Sequence, residues 1–243
     1  MLPAPATGSQ DLNGASRLQP LDRFQGSLGQ RVYQSLKQAI LDLDFRPGDS
    51  IRKPEICDRL GVSRSPVADA VARLAADGLV DIVPQAGTFV TRLSMTDIRE
   101  GAFIREAIEV AAAELVAERI TEDQLRDLRR NLRLQETLVA DDDRQGFMAL
   151  DGQLHQLMLS FTGFPHLAQV AQTAWLTVHR ARQLILPVEG RLRATLEEHR
   201  AILAAFEARD PQAARLAVQH HLRQLLTYLQ PLERAHPELF AAP

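Results

Sequence analysis

The apolar positions of this chain follow a helical period from residue 28, switch to a strand pattern near residue 80, and return to helices beyond residue 95. Leu28, Val32, Leu36, Ile40 and Leu43 lie at the spacing of one helix face. Arg46-Pro47-Gly48-Asp49 stops that helix and turns the chain. A short helix fits Pro54 to Leu60, with proline in the first turn, where no amide partner is missed. Gly61-Val62-Ser63 makes a tight turn into a helix from about Pro66 to Asp77, with Ser65 as N-cap and Gly78 as its stop. Leu79 to Val83 and Thr88 to Thr91 are short apolar or β-branched runs around Pro84-Gln85-Ala86-Gly87, the pattern of a two-stranded hairpin. Three helices and a hairpin in so short a stretch predict a winged helix-turn-helix.

Beyond Leu93 the strand signals vanish. Helical patterns run over 96–118, 121–140, 144–161, 166–185, 190–208 and 211–229, with a shorter one near 232–240. Thr121 with Gln124 three residues on is a capping-box pattern, and Asp210-Pro211 puts a cap before a proline at the first helical position. Six helices with short loops predict an all-α antiparallel bundle. The fold is therefore mainly α: a flexible N-terminal arm over 1–26, a winged helix-turn-helix over 27–93, and a helical domain over 94–243.

Composition narrows the function classes. With 243 residues, 45% of them apolar and 24% charged, the chain has the make-up of a globular protein. No apolar run approaches the roughly 20 residues that span a bilayer, and the N-terminus lacks a basic-then-apolar signal pattern. One cysteine, Cys57, cannot form an internal disulfide, which points to the reducing cytoplasm. A net charge of −3 argues against nonspecific nucleic-acid binding. That charge is uneven, however. Residues 28–92 hold nine basic and eight acidic side chains, whereas residues 93–243 hold 17 and 21. The acid lies in the second half, and an anionic partner would dock on the first.

In a helix-turn-helix the second helix enters the major groove, and its N-terminal side chains reach base edges. Here that end carries Ser63, Arg64 and Ser65, and a guanidinium so placed can bind guanine bidentately. Arg73 is placed for phosphate, and Gly87 at the hairpin tip lets backbone approach a minor groove without a side chain in the way. A small helical domain that binds protein instead has the same spacing.

The stretch from Gln30 to Thr91 resembles the DNA-binding domain of the GntR family of bacterial transcription regulators. The matching residues are Pro47-Gly48-Asp49, Leu60-Gly61-Val62-Ser63-Arg64-Ser65-Pro66-Val67, Arg73-Leu74, Asp77-Gly78-Leu79-Val80 and Gly87-Thr88-Phe89-Val90. The resemblance implies that Arg64 and Gly87 contact DNA. Two departures stand out. Ala68 replaces an arginine of the recognition helix, and Pro54 replaces an arginine found in the preceding helix of many members. Arg52 and Lys53 are placed to compensate through phosphate. Operator affinity or preference is therefore expected to differ from that of typical members.

Three histidines of the second half occupy unusual places. Asp151 and His155 are four apart on one face, bordered by Phe147, Leu154, Met158 and Phe161. His199 falls inside the row Leu192, Leu196, Leu203, Phe206, and His221 inside Ala214, Val218, Leu225, Tyr228. Polar groups on apolar stripes are costly unless they find partners inside. Three helices directing such groups inward can satisfy one another through a metal, or each histidine can be a hydrogen-bonded core residue. His220 neighbours its stripe, while His166, His179 and His236 read as loop or surface positions.

This half resembles the effector-binding helical domain of the FadR-type branch of the same family, the FCD domain. The resemblance runs from about Thr96 to Leu229. Arg105-Glu106-Ala107-Ile108-Glu109, Asp151-Gly152-Gln153-Leu154-His155, Glu198-His199-Arg200-Ala201-Ile202 and Asp210-Pro211-Gln212-Ala213-Ala214 leading to His221-Leu222 carry it. It implies a divalent metal held by Asp151, His155, His199 and His221. Leu154 stands where a phenylalanine is common, which alters packing and leaves ligation alone. Three imidazoles and a carboxylate suit Zn²⁺, with Ni²⁺ or Mn²⁺ as alternatives. The resemblance further implies a small carboxylate-bearing metabolite that completes the metal shell. Arg105 is placed to pair with that carboxylate or, equally, with Glu109 at i+4; Arg180 and Arg182 are further candidates.

The expectation is a cytoplasmic regulator, not an enzyme, that binds operator double-stranded DNA as a homodimer under the control of a small organic acid. The alternatives are a metal-dependent enzyme fused to a DNA-binding module, and a metal-free sensor of a larger acyl ligand. Against the enzyme, the chain has no His-Glu-x-x-His motif.

Overall fold

The computed structural model describes residues 14–242, which form two compact units. The first holds the chain up to Met95 together with the segment from Ala235 onward; the second runs from Thr96 to Arg234.

In the first unit, α1 (Leu28–Leu41), α2 (Lys53–Leu60) and α3 (Arg64–Ala76) precede the antiparallel strands β1 (Val80–Val83) and β2 (Gly87–Val90). Val32, Leu36 and Ile40 of α1 are buried with Val67, Ala70, Val71 and Leu74 of α3, as the apolar period predicts. The strands pair Val80 with Val90 and Val83 with Gly87. The loop after α1 adds itself to β2: the Ile51 amide donates to the Thr88 carbonyl and the Val90 amide to that of Asp49, each at 2.8 Å. The wing is thereby tied back to the turn that ends α1.

α3 begins two residues earlier than its sequence suggests. Ser63, not Ser65, is the N-cap residue, and its side chain makes no capping bond. Pro66 fits at the third helical position because none of the first four amides of a helix has an internal partner. Gly61 ends α2 in the left-handed conformation (φ 64°), which lets α3 start after so short a turn.

Residues 14–26 are not a free arm. They form two short 3₁₀ turns, Gly14–Arg17 and Leu21–Arg23, and bury Ala15 and Leu18. Gly14 lies so close to Phe45 that a Cβ there would fall 2.6 Å from its ring. The Ser35 hydroxyl donates to the Gln19 carbonyl at 2.8 Å. The few apolar residues of a Pro/Ala/Gly-rich segment thus suffice to dock it. Residues 1–13 of that arm lie outside the described residues.

The second unit holds α4 (Met95–Arg119, whose first residue belongs to the first unit), α5 (Glu122–Ala140), α6 (Arg144–Phe161), α7 (Leu167–Ile185), α8 (Arg191–Glu207) and α9 (Pro211–Ala235). Thr121 and Gln124 form the expected capping box, and Asp210 Oδ1 accepts from the Ala213 amide at 3.0 Å. One core of this bundle gathers Val116 and Ile120 of α4, Leu125, Leu128 and Leu132 of α5, Met158 of α6, Phe206 of α8 and Val218 of α9. α9 continues through Pro231 to Ala235, longer than its pattern predicts, and Leu229 and Leu232 on either side of the proline are buried. Where a further short helix was expected near 232–240, there is one 3₁₀ turn, Pro237–Leu239.

After that turn the chain pairs with the strand leaving the wing. Leu93 donates its amide to the Leu239 carbonyl at 3.0 Å and accepts from the Ala241 amide at 2.9 Å, a parallel bridge with Phe240. Arg92 Nε donates to the Glu238 carbonyl at 2.9 Å, and Phe240 is only 5% exposed. A buried phenylalanine reduced to alanine costs about 3 kcal/mol or more. Phe240→Ala is therefore expected to destabilise the protein by about that amount in denaturant titration; an unchanged midpoint would show that the tail adds nothing to the first unit.

Candidate functional site

Asp151 and His155 of α6, His199 of α8 and His221 of α9 meet inside the second unit, all four buried. Their donor atoms lie within 4.8 Å of one another. His155 Nε2 is 3.2 Å from His221 Nε2 and 3.9 Å from Asp151 Oδ2, and His199 Nε2 is 3.5 Å from Asp151 Oδ1. A tetrahedral Zn²⁺ with bonds near 2.0–2.1 Å needs neighbouring donors about 3.3–3.5 Å apart. Two of these separations, 3.2 and 3.5 Å, match that spacing, and His199 Nε2 is buried without a hydrogen bond of its own. The donor set can hold a divalent ion.

The remaining ring nitrogens explain why the three Nε2 atoms converge. His155 Nδ1 lies 2.5 Å from Glu109 Oε2 on α4, His199 Nδ1 lies 2.7 Å from Gln135 Oε1 on α5, and His221 Nδ1 lies 2.8 Å from Glu198 Oε2 on α8. An acceptor opposite each Nδ1 keeps the proton there and leaves the Nε2 lone pair for a metal. The supports are themselves held. Glu109 Oε1 accepts from Arg105 Nε at 2.6 Å and from Trp175 Nε1 at 2.9 Å. Gln135 donates to Asn131 Oδ1 at 2.7 Å, and Arg191 grips Glu198 through two nitrogens, at 2.5 and 3.0 Å.

Electrostatics favour the ligating forms. Burial, reinforced by neighbouring cations, pushes His199 and His221 well below the ordinary histidine value of 6.5. His155 is also lowered by burial, against the pull of Glu109. Burial alone would raise Glu109, but Arg105 and His155 override it and hold that carboxyl far below the usual range. The cluster is thus three neutral imidazoles with carboxylates beside them, the state that binds a cation.

A small pocket of about 30 Å³ opens beside the cluster. Arg105, Asp151, Arg182, Arg191, Thr195 and His221 form one part of its wall; Met148, Ile185, Leu186, Leu222 and Leu225 form the other. Arg105 meets both of its sequence-derived roles, since Nε pairs with Glu109 while the residue lines the pocket. Arg180 is buried but does not line it. Two residues on, about 200° around the helix, Arg182 does, with its guanidinium against the Asp151 carboxylate. His166 and His220 are exposed as expected, whereas His179 is half-buried within α7.

In the first unit, Ser63, Arg64 and Ser65 stand exposed at the N-terminus of α3, and Gly87 is exposed beside the hairpin turn with φ 134°. Arg52 is exposed and pairs with Glu55 at 3.2 Å. Arg73 lies over the Tyr33 ring, 4.3 Å from its centroid, which fixes its direction at an exposed position.

The sequence matches two family models: bacterial regulatory proteins of the gntR family over residues 28–90, and the FCD domain over residues 100–224. It is 30% identical over 214 residues to the HTH-type transcriptional repressor RspR of Escherichia coli K12, a match covering 88% of this chain and 94% of that one. An HTH-type regulator from an unstable DNA locus of Streptomyces ambofaciens is 30% identical over 86% of this chain and 88% of its own. The chain is a GntR-family regulator with an FCD domain. Its fold is similar to that of E. coli McbR/YncC (TM-score 0.72, 20% identity, 86% and 99% of the two chains). The crystal structure of a GntR regulator from Rhodococcus is similar too (TM-score 0.70, 24% identity, 85% and 99%).

The regulator is accordingly a DNA-binding transcription regulator with a buried Asp/His₃ cluster in its FCD domain. Sequence reasoning missed Glu109 and Gln135 as supports and Arg191 and Thr195 as pocket residues. Only Glu198, adjacent to His199, and Glu109, one turn after Arg105, carried a local signal.

The histidine shifts have a consequence for stability. The folded values lie below 6.5, so between the two values the unfolded chain binds more protons. The metal-free regulator is therefore expected to lose stability as pH falls through 6.5 and on toward the folded values. Denaturation midpoints measured from pH 7.5 to 5.5 in chelator check this; a flat profile would contradict neutral buried histidines.

Proposed function

We propose that the regulator senses a small organic acid through a divalent metal in its helical unit and that this binding modulates its hold on operator DNA. The observation that carries the reading is the convergence of three Nε2 atoms and one carboxylate beside an arginine-lined pocket. Asp151, His155, His199 and His221 would hold the ion, Zn²⁺ first, and the ion would supply a Lewis-acidic anchor for a carboxylate. Arg105, Arg182 and Arg191 would orient that carboxylate and offset its charge. The protein is read as a sensor and not as an enzyme.

On the DNA side, Arg64 with Ser63 and Ser65 would read bases in the major groove, Arg73 and Arg52 would meet phosphate, and the backbone at Gly87 would enter the minor groove. A homodimer would place two such helices on a palindromic operator. Exposed apolar residues on α4 and α7 support that assembly. Phe103 on α4 is 74% and Val170 on α7 62% exposed, apolar side chains that a second copy would cover. The effector would favour one arrangement of the dimer over another and so shift operator affinity.

A thermal-shift screen of organic acids, with and without chelator, tests the sensing half. Stabilisation by an acid is expected with metal and is expected to vanish in chelator or in His199→Ala; an acid that stabilises equally without metal contradicts the reading. Arg64→Ala tests the DNA half. It is expected to weaken operator binding by about 1–3 kcal/mol, about 5- to 150-fold in a bandshift at fixed salt, and unchanged binding would displace α3 as the reading helix.

A further inference from the structure

The chain passes between its two units twice, at residues 95–96 and at 234–235, and both crossings lie next to Leu93. On one side Leu93 leaves the wing and, after Ser94 alone, α4 begins at Met95. On the other, only His236 separates the last residue of α9 from the 3₁₀ turn Pro237–Leu239, and the Leu239 carbonyl and Ala241 amide then bond to Leu93. Neither crossing has slack to absorb a displacement. α9 itself runs from His221 to Ala235, about 21 Å at the rise of an α-helix, and passes through Pro231 without ending. The position of His221 depends on what lies between it and His155. Glu109 and Glu198 keep the protons of these two rings on Nδ1, so the Nε2 lone pairs face each other at 3.2 Å. A cation between them draws α6 and α9 together, and without one the lone pairs repel.

We propose that the C-terminal tail is a strap that carries the metal state of the cluster, through α9, to the strand leaving the wing. A continuous helix passes a displacement at His221 on to Ala235, and the short connection passes it on to Leu93, just beyond the end of β2 at Val90. Phe240, 5% exposed, anchors the strap in the first unit. β2 also carries Gly87, so the strap ends on the element whose tip is proposed to enter the minor groove. This inference rests on the cluster holding a metal and adds the route by which its occupancy reaches the DNA-reading unit.

Amide hydrogen exchange on the full-length regulator, with Zn²⁺ and in chelator, tests it without operator or effector. Zn²⁺ is expected to slow exchange about threefold or more at the Val90 and Leu93 amides as well as in α6, α8 and α9. Inserting about eight Gly and Ser residues between Ala235 and His236 makes a flexible link whose ends lie about 15 Å apart on average. The tail can still dock, because the cost of closing a loop grows only slowly with its length. The response at Val90 and Leu93 is then expected to vanish, while that of α6, α8 and α9 remains. A tail that only stabilises the first unit would leave the response unchanged in this variant, and that result overturns the strap. So does a full-length chain whose Val90 and Leu93 amides ignore Zn²⁺ while the three helices respond. No response in the helices either removes the metal reading, and the strap with it. Should the inserted tail not dock, seen as free-peptide exchange at the Ala241 amide, a chain ended after Ala235 carries the same expectation at Val90.

Discussion

The helical unit is organised by the need to keep three imidazoles and several charges out of water. An isolated buried charge is prohibitive, so each such group must be met by a partner held in place from another element. Here α6, α8 and α9 bring the histidines, α4 brings Glu109 and Arg105, α5 brings Gln135, and α7 brings Trp175 and Arg182. Every helix of the unit therefore contributes a polar group that another helix requires. The apolar core built on Leu128, Met158, Phe206 and Val218 supplies the drive to pack, and the polar cluster restricts which packing is acceptable.

This division explains what could be read from sequence. The four residues of the cluster were legible because each is a polar residue on an otherwise apolar helix stripe, a local contradiction that asks for a partner. Their supports were not legible. Gln135 lies on an amphipathic helix whose sequence gives no sign that it faces His199 across 64 residues. Glu109 looks like half of an i, i+4 pair with Arg105, and that pair exists, but the other carboxylate oxygen faces His155. The arginines show the finer limit: Arg180 and Arg182 share a helix and a charge, and only the rotation of α7 decides which one lines the pocket.

The first unit was legible for a different reason. Turn residues with few conformational options, Gly61, Gly78 and Pro47-Gly48, fix where its elements stop, and the hairpin follows from its change of period. The misjudged parts lie at its margins. A serine before a proline is a good N-cap by composition, yet the helix starts at Arg64 because proline is tolerated anywhere in the first turn. Gly14 to Gly26 and the tail beyond Ala235 hold few apolar residues, and composition gives such segments no reason to fold. Ala15, Leu18 and Phe240 are the side chains these segments bury, and backbone hydrogen bonds to Leu93 and the Ser35 bond to the Gln19 carbonyl add to that burial.

The two ends of the chain thus converge on one unit, and this bears on the charge arithmetic. A net charge of −3 speaks against loose attraction to DNA, and the acid sits mainly in the helical part. The reading unit is close to neutral, and Ala68 and Pro54 add no cation to it. One of its cations is also committed internally, Lys37 to Asp77. With so little general attraction available, operator binding must draw on a few well-oriented groups, and on the proposed reading Arg64 at the exposed start of α3 is the foremost. Orientation then matters more than charge, because a contact that cannot be replaced by a neighbouring cation is lost when its backbone moves. The hydrogen bonds from the 48–51 loop to β2, and from Leu93 to the tail, tie the wing and the tail into that same unit.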